Sequence, residues 1–196
     1  MDNPLLGQDI LNSISFSKDT LDFLNSYTQD IEKAYQQEQG LDLLKNRILA
    51  SLFFEPSTRT RLSFESAMIR MGGQIITVEH PMMSSSSKGE SLEDTAETVS
   101  CFADVIALRH PQAHSAKLFS DHSSVPVLNC GDGSNEHPTQ ALLDLYTIDK
   151  EKNLNDRSTP LKVGFIGDLK YGRTVHSLSR ILRHYNSQMV FISKSN

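Results

Sequence analysis

The 196-residue sequence lacks most of the features that mark specialised chains. It has only two cysteines, Cys101 and Cys130, which give no disulfide framework and no paired spacing for a metal site. A reducing, cytoplasmic setting is the default expectation. No apolar run approaches the ~18 residues that a membrane span needs. The opening Met1-Asp2-Asn3-Pro4 lacks the basic-then-apolar order of a secretory signal. Positive charge is not in excess either: the net charge of −5 excludes a global footprint for nucleic acid or an anionic membrane. Long polar or repetitive tracts are missing, and 38% hydrophobic with 22% charged residues is the composition of a folded chain. An anion, if one is bound, must be met by a local cluster of cations.

What is present is an alternation of strand-like and helix-like segments. Residues 17–39 read as a helix with Leu21, Leu24, Thr28, Ile31 and Tyr35 on one face, capped by Ser17 and stopped by Gly40. Residues 47–54 form a mostly apolar run fit for a buried strand, broken by Pro56-Ser57. A helix over 58–71 follows, with the stripe Phe64, Ala67, Met68, Met71 and a Gly72-Gly73 stop. Strands are expected over 74–78, 104–108 and 125–128. Helices are expected from Ser91 to Phe102, near 115–120, and over 137–149, where Ala141, Leu142, Leu145 and Ile148 face inward. This order predicts an α/β fold: a parallel sheet with helices on both faces, in a first domain over 1–149. Residues 150–160 read as a linker, and 162–193 as one further β-α-β unit opening a second, incomplete α/β domain over 150–196. One such unit is too little to bury a second core, so the chain is expected to be a piece of a longer protein.

The strongest chemical signal is Phe53-Phe54-Glu55-Pro56-Ser57-Thr58-Arg59-Thr60-Arg61-Leu62-Ser63-Phe64-Glu65. A buried strand ends, turns, and presents Ser57, Thr58 and Thr60 at a helix N-terminus, where unpaired backbone N–H groups and the positive end of the dipole favour an anion. Arg59 adds a fork that fits phosphate. An ordinary capped helix with solvated arginines fits less well, because cations in a first turn oppose the dipole. Arg109 follows one later strand, while His137 and Gln140 follow another. In open α/β sheets ligands lie beyond the carboxyl ends of the strands, so all three pieces are expected at one sheet edge. The run Ser84-Ser85-Ser86-Ser87-Lys88-Gly89-Glu90 reads as a solvated loop or as a mobile arm carrying Lys88. Gly167-Asp168-Leu169-Lys170-Tyr171-Gly172-Arg173 places Arg173 near a helix start but lacks the glycine order of a dinucleotide site.

The runs FFEPSTRTRLSFE, SSSSKGESLEDT, ALRHP, GDGSNEHPTQALLDL and GDLKYGRTVHSL, in this order, resemble those of aspartate carbamoyltransferase catalytic chains. That resemblance implies an enzyme that moves the carbamoyl group of carbamoyl phosphate to the amine of L-aspartate, in pyrimidine biosynthesis, without a cofactor or a metal. It implies that Ser57, Thr58, Arg59 and Thr60 hold the phosphate and that Arg109 bridges phosphate and carbonyl. His137 and Thr60 would polarise the carbonyl oxygen, Gln140 would bind the NH₂ group, and Arg173 a carboxylate of aspartate. Ser84 and Lys88 would enter a neighbouring subunit's site, with Lys88 on aspartate. A homotrimer with shared sites is implied, with room for a regulatory subunit.

Three rival readings fit the residues less well. Ornithine carbamoyltransferase shares the Ser-Thr-Arg-Thr-Arg motif, but Pro56, the order His137-Pro138-Thr139-Gln140, and Lys88 with Arg173 suit a dicarboxylate substrate better. A non-catalytic subunit would be expected to have lost the charged site residues, which are all present. A metal site at His110, His114 and His122 is disfavoured because Pro111 breaks the helix that would align them.

Overall fold

Short apolar runs separated by helices fold into two parallel sheets in the computed structural model, which describes residues 3–37, 41–78, 89–154 and 158–194. In chain order the elements are α1 (Lys18–Gln36), β1 (Ile48–Phe53), α2 (Thr58–Arg70), β2 (Gln74–Val78), α3 (Leu92–Ser100), β3 (Val105–His110), α4 (Ser115–His122), β4 (Val127–Asp132), α5 (Pro138–Lys152), β5 (Leu161–Ile166), α6 (Arg173–Leu182) and β6 (Ser187–Ile192). The first sheet has the order β2-β1-β3-β4 and the second pairs β5 with β6, with every pair parallel. The expected α/β architecture is therefore present. The amino-terminal segment covers the outer edge of β4 through a bridge between Ile10 and Leu128, which leaves that edge unavailable to stray strands.

Strands β1, β3 and β4 of the larger sheet are buried on both faces, as parallel strands usually are, while the edge strand β2 is largely exposed. Along β1, Leu49 and Phe53 point toward Met68 of α2, while Ala50 and Leu52 point the other way, toward Ala96 of α3 and Phe119 of α4. A third cluster joins the two sheets. Phe16, Leu21, Ala141 and Leu145 pack with Phe165, Ile181 and Leu182, so α5 and α6 share one core. Apolar Ile166, Val190, Phe191 and Ile192 of the smaller sheet stay exposed.

Several element ends differ from the sequence expectation. Strands β3 and β4 run two and four residues past the expected 108 and 128, to His110 and Asp132. Their polar tails look like loop, but Asn129 and Asp132 are buried and bond to each other, and Arg109 sits in register with Phe53. Helix α5 continues to Lys152, past the expected start of the linker. In α2 only Met68 of the expected stripe is buried. Phe64 and Ala67 instead form the wall of the cavity described next. Likewise Thr28 and Tyr35 of α1 are exposed, and Tyr35 lies under the Arg70 guanidinium.

Candidate functional site

Three of the described helices have serine at the N-cap, and one of them begins differently. Ser17 Oγ accepts from Thr20 N at 3.1 Å and Ser91 Oγ accepts from Asp94 N at 3.0 Å, while both first turns carry acids. Ser57, at the start of α2, makes no such cap, and the first turn has no acid. Its N–H groups and dipole are left to face a cavity of about 830 Å³.

Two arginines follow Ser57, and the structure separates them. Arg61 Nε donates to Glu65 Oε1 at 2.8 Å, and Ser51 Oγ donates to the same oxygen. Burial works to raise the Glu65 pKa, but these hydrogen bonds outweigh it and hold the carboxyl below its ordinary value. Arg59 has no hydrogen bond or ion pair with any described residue and lines the cavity.

The strand ends supply the next groups. Arg109, at the end of β3, donates from Nη2 to Glu55 Oε1 at 2.6 Å. Arg173, the first residue of α6, donates to that oxygen at 3.0 Å and to the Gly133 carbonyl at 2.7 Å. Desolvation raises the Glu55 pKa, yet hydrogen bonds from Arg173 and Arg109 prevail and lower it, so this carboxyl is an anion. Arg109 Nε is buried without a partner among the described residues. Arg173 crosses directly over Gly131, whose φ is +115°. A Cβ there would stand 2.9 Å from the guanidinium carbon, so a side chain at 131 would displace the guanidinium as well as strain the backbone.

His137 is the N-cap of α5, with Pro138 preformed for the first turn. Its Nδ1 accepts from Gln140 N at 3.4 Å and lies 3.3 Å from the Thr139 hydroxyl. The Gln140 N–H can only donate, so Nδ1 is the acceptor and Nε2 carries the ring proton, with the Thr139 hydroxyl free to donate as well. Burial, then the charges of Arg173 and Arg109, push the His137 pKa down from 6.5 to about 4. At neutral pH this is an uncharged imidazole offering one N–H.

A buried polar knot holds that residue from behind. Ser177 Oγ accepts from His137 N at 2.9 Å and donates to Glu136 Oε2 at 2.9 Å. Glu136 is 2% exposed; it also accepts from Ser13 N and pairs with Arg180 of α6. One carboxylate therefore ties the amino-terminal segment, the β4–α5 turn and α6 together.

Of the residues singled out in the sequence, Ser57, Thr58, Arg59, Thr60, Arg109, His137, Gln140 and Arg173 all line this one cavity. Ser84 and Lys88 lie outside the described residues. Glu55 and the Ser177–Glu136 pair carry no sequence expectation. An acid set inside a run of anion-binding residues was the available signal for Glu55; the 41-residue gap between Glu136 and Ser177 gave none. Cys130 is buried in the core, and burial pushes its thiol pKa up. Among the described residues no group of three His, Cys, Asp or Glu is arranged to hold a metal ion.

Comparison with known proteins adds to this geometry. Residues 8–150 match the family described as aspartate/ornithine carbamoyltransferase, carbamoyl-P binding domain. The chain belongs to that family. It is 48% identical, over 95% of its length, to the aspartate carbamoyltransferase catalytic subunit of Thermococcus kodakarensis, of which it covers 59%. It superposes on the catalytic subunit of M. jannaschii aspartate transcarbamoylase with a TM-score of 0.87 at 46% identity, covering 96% of this chain and 61% of that one. Aspartate transcarbamoylase from Trypanosoma cruzi, solved in complex with carbamoyl phosphate and aspartate, gives 0.87 at 38% identity, covering 95% and 57%. The chain thus spans about three-fifths of the length of the carbamoyltransferases it matches.

Proposed function

We propose that this carbamoyltransferase-family chain forms the carbamoyl-phosphate half of an aspartate carbamoyltransferase site. The observation that carries the reading is the ordered set of groups around one cavity. An uncapped helix start with Arg59, which has no partner among the described residues, stands at one wall, a neutral N–H donor at His137 and a carboxamide at Gln140 stand at another, and Arg173 lies at the start of α6. A phosphate, an amide-like acyl group and a carboxylate are the chemical classes these groups recognise.

In the proposed reaction Ser57, Thr58, Arg59 and Thr60 bind the phosphate at the α2 terminus. The carbamoyl oxygen takes hydrogen bonds from His137 Nε2–H, Thr60 and Arg109, and Gln140 Oε1 accepts from the NH₂ group. The aspartate amine attacks the carbamoyl carbon, forming C–N, and negative charge builds on the oxygen where these donors already point. The tetrahedral intermediate then breaks its C–O bond to phosphate. Among the described residues no free base faces the cavity, since His137 has Nδ1 engaged in its cap and Glu55 is held by two arginines. The amine proton therefore passes to the departing phosphate. Rate enhancement comes from orientation and fixed charge, with no protein nucleophile and no cofactor. Arg173 grips a carboxylate of aspartate, joined by Lys88 from the loop of a neighbouring subunit together with Ser84.

The same reading includes a homotrimer with shared sites. Its support is the exposed apolar pair Leu62 and Ile69, two turns apart on one face of α2. A regulatory subunit and a place in pyrimidine biosynthesis rest on the family alone. Two separate sheets support a division into two units, with the boundary after α5 ends at Lys152 and not at 149/150, which lies inside that helix. A cytoplasmic location accords with two free thiols and with the lack of any described helix long and apolar enough to cross a membrane. The ornithine alternative is disfavoured by Arg173, which would face a cationic substrate.

Calorimetric titration with carbamoyl phosphate tests the reading. Saturable binding that disappears in Arg59→Ala is expected. No binding by the folded chain, or binding unaffected by the substitution, would remove the phosphate from this helix start.

A further inference from the structure

Gln140 carries an amide whose two ends have opposite hydrogen-bonding character, so which end faces the cavity decides what the cavity can recognise. Its Nε2 donates to Asp144 Oδ1 at 3.0 Å, one turn further along α5. Burial raises the Asp144 pKa and the hydrogen bond from Gln140 opposes that rise; as a carboxylate Asp144 only accepts, so the amide turns its NH₂ toward Asp144 and its carbonyl away. No described residue donates to Gln140 Oε1, and the side chain lines the cavity. A Gln–Asp pair at this spacing also serves as plain helix support on exposed surfaces. Here Asp144 is half-buried, and the amide it holds belongs to the site wall.

Three residues earlier, His137 presents the complementary group, a ring N–H. One helix start therefore offers a donor at 137 and, because of Asp144, an acceptor at 140. That pair matches the O=C–NH₂ edge of a primary amide. An acyl group with a methyl in place of the NH₂ would satisfy the donor and leave the acceptor desolvated and unpaired, the arrangement by which sites discriminate most strongly.

We propose that Asp144 is a positioning residue that fixes the polarity of the Gln140 amide, so that the site selects acyl phosphates bearing an NH₂ group over isosteric ones bearing a methyl. This rests on the carbamoyl-phosphate reading of the cavity.

The test is calorimetric titration of the chain with two stable phosphonates, phosphonoacetamide and acetonylphosphonate, which differ only in NH₂ against CH₃. The unsubstituted chain is expected to prefer the amide by about tenfold or more. Asp144→Ala should weaken phosphonoacetamide binding about tenfold and leave acetonylphosphonate unchanged. Asp144→Asn keeps the size but can accept or donate, so it should retain an intermediate preference and serves if the alanine variant does not fold. Gln140→Ala should abolish the preference, and adding Asp144→Ala to it should change nothing more. Equal losses for both ligands in the Asp144 variants, or a further loss in the double variant, would overturn the proposal. Binding of both phosphonates without preference by the unsubstituted chain would overturn it too, while leaving the phosphate site standing. Binding of neither would overturn it along with the carbamoyl-phosphate reading.

Discussion

Arg109 Nη2 stands 2.6 Å from Glu55 Oε1, and Arg173 reaches the same oxygen from the start of α6. One carboxylate thus offsets two guanidiniums that an anion in the cavity would also use. Glu55→Gln should leave both cations without a counter-charge, at a cost of about 1–3 kcal/mol. The melting temperature is expected to fall in phosphate-free buffer and to recover more with added phosphate than it does for the unsubstituted chain. A phosphate response identical to that of the unsubstituted chain would show that Glu55 does not compete for these arginines.

The two arginines of the α2 first turns should respond in opposite ways. Arg59→Ala removes a group with no described partner, so stability should move by less than about 0.5 kcal/mol while phosphate affinity falls about 10- to 100-fold. Arg61→Ala takes a partner from the half-buried Glu65 and should cost about 1–2 kcal/mol of stability, with a much smaller effect on phosphate. Urea unfolding beside calorimetry distinguishes these outcomes, and reversed assignments would sink the placement of Arg59.

His137 makes a pH prediction with a definite sign. Its folded pKa is depressed from 6.5 to about 4, so below 6.5 the unfolded chain binds a proton that the folded chain resists. The contribution to stability is complete above 6.5 and drains away as the pH falls toward 4, by an amount of order 3 kcal/mol. Comparing urea midpoints between pH 7 and 4.5 for the unsubstituted chain and His137→Asn checks this. The variant should lack that part of the decline, and an imidazole resonance titrating near 6.5 would contradict it.

Glu136 is deeply buried, and its only cationic partner among the described residues is Arg180. Arg180→Ala should strand that charge and cost about 3–5 kcal/mol, more than a typical surface arginine. Replacing both residues, Glu136→Leu with Arg180→Met, should recover most of the loss. Ser177→Ala should cost about 1–3 kcal/mol through the unpaired His137 amide. Urea unfolding measures all three.

The fold was readable because parallel strands buried on both faces leave continuous apolar runs, as at Ile48–Phe53, and helix starts leave serine or proline signatures at Ser17, Ser91 and Pro138. The tails of β3 and β4 were not readable. Asn129 and Asp132 look like loop residues until their partners, far along the chain or around a turn, are in place. Site residues were legible where a motif is local, as in Ser57–Thr60 and His137–Gln140. Roles that depend on distant chain contacts were hidden: Glu55 between Arg109 and Arg173, and Ser177 beneath His137. The difference between Arg59 and Arg61 was within reach of the sequence and went unread: Glu65 stands four residues after Arg61, the spacing of a helical ion pair.

Ser57 withholds the cap that Ser17 and Ser91 provide. Ser57→Asp would supply both the missing cap and an acid for the dipole, worth about 1 kcal/mol to the helix. It would also fix a negative charge at the spot where an incoming anion must settle. At this one helix, thermal robustness and ligand affinity are therefore set against each other. A stabilisation effort guided by helix-capping rules alone would harden the protein and blunt its binding in the same substitution.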